Sequence, residues 1–136
     1  MSQELQSTPH DLVVGNLLEM GQWMLDNEHQ DTPSVKLLAD TGTARLRLLT
    51  FQVGQSLSEH QAPGPIHVQV LQGHIAFTTA QGTVDAPAGT LLQLAAHAPH
   101  SLVAHSPAMV LVTVLQSSTW ALRCSSRIER LKVVGG

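Results

Sequence analysis

The feature that most constrains this chain is a succession of short apolar, β-branched runs between Val35 and Leu115, broken by glycine and proline turns. Ala44 to Val53 alternates in part, with Leu46, Leu48 and Thr50 on one face and Arg45 and Arg47 on the other. Ile66 to Leu71 is ended by Gly73, and Ile75 to Thr79 by Gln81-Gly82. Thr90 to Leu94 follows Pro87-Ala88-Gly89, Ser101 to Ala104 is a short run, and Met109 to Leu115 is the longest apolar one. Strands this short, separated by such turns, predict an all-β sandwich or barrel. The 136 residues suffice for one domain. Charged residues make up only 12%, about half the usual share, which disfavours a solvated helical bundle.

Three segments are expected. Residues 1–34 form an N-terminal arm or short helix packing on the barrel, 35–118 the barrel, and 119–136 a C-terminal strand or basic tail. Thr8-Pro9-His10-Asp11 reads as a helix start, with a Thr cap, a first-turn Pro and an acid three residues after the cap. Val13, Val14, Leu17, Leu18, Met24 and Leu25 recur at roughly helical spacing, but Gly15 and Gly21 weaken the pattern. A short β-arm therefore competes with the helix. Met20, Met24 and Met109 read as core or interface filler, and Trp23 and Trp120 as packing residues.

Charge and composition exclude several functions. Two Trp, two Phe and no Tyr leave no platform for stacking nucleobases, and a net charge of −3 gives no nucleic-acid footprint. Six of the ten acids (Glu4, Asp11, Glu19, Asp26, Glu28 and Asp31) precede the first basic residue, Lys36. Arg123, Arg127, Arg130 and Lys132 supply four of the seven basic residues at the other end. No apolar run approaches the length of a membrane span, and no basic segment precedes an apolar one as in a signal peptide. The single Cys124 forms no disulfide within the chain and reads as an inert thiol, so a cytoplasmic location is expected.

The chemistry lies in the eight histidines: His10, His29, His60, His67, His74, His97, His100 and His105. His60 falls in the stretch Ser58 to Pro65, read as a loop before a strand; His100 opens the strand after the Thr90 run. Strand mouths that far apart in sequence converge readily in a barrel, and imidazole is the commonest ligand of divalent transition metals. Surface or turn histidines are the competing reading, because no His-x-His pair occurs and His97 and His100 flank Ala98-Pro99. Glu59 is a general-base candidate or, more simply, a solvated acid. Ser56, Ser58 and Ser101 sit in no Gly-x-Ser-x-Gly elbow, which argues against a hydrolase triad.

The stretch from Gly54 to Leu115 resembles the core of a small, stand-alone bacterial cupin. Gly54-Gln55-Ser56-Leu57-Ser58-Glu59-His60 matches the opening of the first cupin motif and Val70-Leu71-Gln72-Gly73 its close. Ala95-Ala96-His97-Ala98-Pro99-His100 stands in place of the second motif and keeps its final histidine. The resemblance implies a cupin jelly-roll β-barrel, commonly a homodimer, with an interior site around His60 and His100. The resemblance also implies that this site holds a divalent transition metal (zinc, nickel, iron or manganese) and a small polar molecule.

Two of the four ligands implied by the resemblance are missing: the second motif histidine falls on Ala62 and the glutamate on Ile66. His67, Gln69 and His97 are candidate substitutes. Alternation sets Ile66, Val68 and Val70 on one face and His67 and Gln69 on the other, so the latter point outward unless a bulge at Pro63-Gly64-Pro65 reverses the register. Three outcomes follow: a completed site, a weak one through two histidines and waters, or a metal-free pocket. Two functional classes remain: a metal-dependent enzyme such as a dioxygenase, isomerase or decarboxylase, and a non-catalytic small-molecule-binding or sensor barrel.

Overall fold

In the computed structural model, which describes residues 12–116, Asn16 starts the first element. Its side-chain oxygen accepts the Glu19 N–H at 3.0 Å, satisfying one of the donors that a helix start leaves unpaired. Helix α1, Leu17–Asn27, buries Met20, Gly21, Met24 and Leu25 as one stripe and leaves Trp23 43% exposed. Of the two N-terminal alternatives the helix is the one that forms. It begins later than the apolar spacing predicts, with Val13 and Val14 ahead of the cap. The cap expected at Thr8 lies outside the described residues, as do the tail 119–136, Trp120 and Cys124.

The strands are β1 (Ser34–Asp40), β2 (Ala44–Phe51), β3 (Ser56–His60), β4 (Ile66–Gln72), β5 (His74–Thr79), β6 (Gly82–Pro87), β7 (Leu91–Leu94), β8 (His100–Ala104) and β9 (Ala108–Leu115). They form two antiparallel sheets, ordered β1-β2-β9-β4-β7 and β3-β8-β5-β6. Three strands depart from expectation, β1 among them, since the apolar runs named above begin only at Ala44. His60 ends β3 rather than sitting in a loop, and β6 occupies a stretch whose ends read as turns. β6 tolerates Pro87 because it is an edge strand. Among the described residues no helix is long and apolar enough to cross a membrane.

Both faces of the five-stranded sheet are covered. The inner face meets the second sheet through Leu49, Phe51, Val68, Val70 and Val110 against Ile75, Phe77 and Leu102. The outer face receives α1: Met20 and Met24 pack on Leu38 and Leu48, with Leu46, Leu71 and Leu111 around them. Each such side chain, fully buried, contributes about 1.5–3 kcal/mol. The leucine face of β2 is therefore the helix face, and Arg45 and Arg47 look inward.

The β4–β5 turn needs a glycine. Gly73 has φ +84°, and a Cβ there would collide with the Pro107 carbonyl oxygen and lie 2.8 Å from the Ala108 Cα.

Candidate functional site

The two sheets part at one end around a cavity of about 610 Å³. Ladder registry explains its walls. On the five-stranded sheet Arg45, Val114 and Ile66 lie in one row across three strands, and Arg47, Val112 and Val68 in the next. On the facing sheet the rows are His60, His100 and Thr79, then Leu57, Leu102 and Phe77. Apolar side chains line the deeper part, with Ile66, Val68, Phe77 and Leu102 all buried. Ser58, His60, Gln61, Arg45, Arg47 and Gln116 add polar groups.

His60 and His100 come together as the sequence suggests. Their ring centroids are 4.2 Å apart at an edge-on angle of 62°. His100 also stacks on Phe77, with 5.6 Å between centroids and 13° between planes. In each ring Nδ1 faces a backbone carbonyl: Ser58 at 2.8 Å from His60 and Ala98 at 3.0 Å from His100. A carbonyl only accepts, so Nδ1 carries the hydrogen in each ring and Nε2 is the nitrogen left free of that contact. Burial lowers the pKa of His100, opposed by the Ala98 carbonyl and assisted by the nearby His60. His100 is thus held neutral at pH 7, with Nε2 an acceptor.

The proposed substitutes do not join this pair. His67 and Gln69 lie on the opposite face of β4 from the cavity-lining Ile66 and Val68; they stand beside Thr113 and Leu111, and Leu111 packs toward α1. No register reversal occurs at Pro63 to Pro65; the irregularities fall at Leu37/Ala39 in β1, Leu57/His60 in β3 and Val70/Gln72 in β4. His97 has φ +65° and donates its backbone N–H to the Ala62 carbonyl at 2.8 Å, so it ties two loops together without lining the cavity. Glu59 is exposed and also absent from the walls.

Ala62 and Ile66, where the motif would put histidine and glutamate, do line the cavity. Those positions therefore point inward and carry apolar groups. Among the described residues no group of three or more His, Cys, Asp or Glu is placed to hold a metal ion. Two imidazoles with no carboxylate do not fit a tightly held divalent cation, which typically takes three or more protein ligands.

Arg45 and Arg47 belong to the site although nothing in the histidine pattern marked them. Arg45 is exposed and its Nε donates to Asp40 Oδ2 at 3.1 Å. The Gly42 backbone N–H, foremost, and Arg45 lower the pKa of Asp40. Arg47 is half-buried, its Cα registered against Leu37 on one side and Val112 on the other. The available signal was their shared face on a strand whose other face is leucine, next to an amphipathic helix able to cover it.

No protein-family model matches this sequence, and no curated protein does. Solved structures match its fold. A cupin superfamily protein from Desulfitobacterium hafniense is similar at 20% identity and a TM-score of 0.66, over 84% of this chain and 99% of that one. A conserved protein of unknown function from Streptococcus pyogenes gives 23% and 0.67, over 88% and 98%. An RmlC-like cupin protein from Desulfovibrio desulfuricans gives 22% and 0.61, over 81% and 97%. The chain has the cupin fold.

Proposed function

We propose that this cupin-fold barrel is a metal-independent binding module for a small organic molecule seated between His60 and His100 and the apolar walls. The observation that carries the reading is the cavity lining: an apolar interior, two histidines offering Nε2, and no carboxylate among the described residues. Size supports it, since about 610 Å³ lies in the usual range for small-molecule sites. A catalytic reading has less support, because no described acid lines the cavity with the two histidines and no group of three or more metal-ligating side chains is placed there among the described residues.

A homodimer in the cytoplasm remains part of the proposal. It is supported by the edge strand β1, where Val35 and Leu37 are exposed, and by the sparing use of cysteine.

The test is titration of chelator-treated protein with the neutral fluorophore N-phenyl-1-naphthylamine. The expected result is one saturable site per chain, unchanged by added chelator and weakened at least tenfold in Ala62→Trp, which fills the cavity wall from a loop. Equal binding by that variant, or no binding by the parent, overturns the reading.

A further inference from the structure

We infer that the molecule this cavity takes is an organic anion, a carboxylate- or sulfonate-type head on an apolar body, and that Arg47 receives the head. The inference rests on the binding reading above and adds the charge of the ligand to it.

Basic residues are few in the described part of the chain: Lys36, Arg45 and Arg47. Two of these three line the cavity, whereas none of the seven described acids (Glu19, Asp26, Glu28, Asp31, Asp40, Glu59 and Asp85) does. Random scatter of a chain with net negative charge would not favour that separation. The two arginines sit two residues apart on β2, about 7 Å along the strand. They are not equivalent. Arg45 has its counter-ion in Asp40 at 3.1 Å. Arg47 has no ion pair among the described residues, and its ladder neighbours Leu37 and Val112 are apolar.

A guanidinium keeps its charge at any physiological pH, and holding one half-buried without a counter-ion opposes folding. A bound anion removes that cost. Arginine is also suited to the task, because its planar fork meets a carboxylate or sulfonate through two parallel hydrogen bonds. Beyond Arg47 the wall continues as Val112 and Val68 and is faced by Leu57, Leu102 and Phe77, which suits an apolar body. On the facing sheet the neutral His100 offers Nε2 as an acceptor, suited to a hydroxyl or N–H carried elsewhere on the ligand.

The test uses two dyes that differ in one group. 1-Anilinonaphthalene-8-sulfonate carries the anion, and N-phenyl-1-naphthylamine lacks it. Both are titrated into the full chain and into Arg47→Met, which keeps most of the apolar stem, and Arg45→Met, with a melting curve confirming that each variant is folded. The expected result is that the parent binds the sulfonate at least tenfold more tightly than the neutral dye. Arg47→Met should abolish that preference by weakening the sulfonate at least tenfold, and Arg47→Lys should keep part of it. Equal affinities in the parent, or a preference that survives Arg47→Met and disappears in Arg45→Met, overturn the inference while the cavity reading stands. Failure of both dyes to bind the parent overturns both. Should Arg47→Met fail to fold, Arg47→Gln and Arg47→Lys carry the same comparison.

Discussion

The two ends of the barrel are built from the same strands and do opposite things. At the closed end, Phe51, Ile75, Ala86, Ala104 and Ala108 are at most 1% exposed. At the open end the same strands present Arg45, His100 and Val114 to a cavity. Along β2 the distance from Phe51 to Arg45 is only about 20 Å. Burial rises along β2 toward Phe51 and falls along the antiparallel β9 away from Ala108, so the gradient belongs to the sheet as a whole. Stability and recognition are thereby separated in space, and substitutions at one end should leave the other measurably intact.

The largest effect is expected at the closed end. Phe51→Ala removes a fully buried ring and should cost about 3–5 kcal/mol in urea unfolding. Any variant population that stays folded should bind N-phenyl-1-naphthylamine as the parent does. A binding loss larger than the unfolded fraction would break the separation. Gly73→Ala comes next, at about 2–4 kcal/mol, because it combines left-handed backbone with a backbone collision. Chemical denaturation of the variant measures it, and a loss under about 0.5 kcal/mol would mean that the turn yields easily.

The smallest effect is a pH slope at the open end. Because burial lowers the folded pKa of His100 below its ordinary 6.5, protonation favours the unfolded chain. The stability that neutral His100 permits is complete above the ordinary value and is lost as pH falls through the folded one. Between pH 7.5 and about 5 the parent should lose more stability than His100→Gln. Parallel curves for the two proteins would show that His100 is not desolvated by the fold.

The contrast between the ends also explains what was legible in the sequence. Strands with a strongly apolar inner face, such as Val68 and Val70 of β4 or Val110 of β9, stood out as runs. β3 did not, because only Leu57 of its five residues packs against the core while its neighbours are exposed. β6 did not either; an edge strand needs few apolar residues, and Ala86 alone is fully buried there. The pairing of His60 with His100 followed from motif spacing. The arginines were placed correctly opposite Leu46 and Leu48, but alternation cannot say which face of a strand looks inward. That is decided by α1, which covers the leucine face, and the cavity claims the other.

The central claim is that the open end recognises an organic molecule through its own side chains rather than through a bound metal. Calorimetric titration of zinc and nickel into chelator-treated protein tests this most directly, with Ala62→His/Ile66→Glu as the comparison, since it supplies the two donors that the cavity positions lack. The account predicts no saturable binding at micromolar concentration in the parent. It also predicts tight binding with a rise in melting temperature in the double variant. Stoichiometric metal binding by the parent, abolished by His60→Ala/His100→Ala, would contradict it.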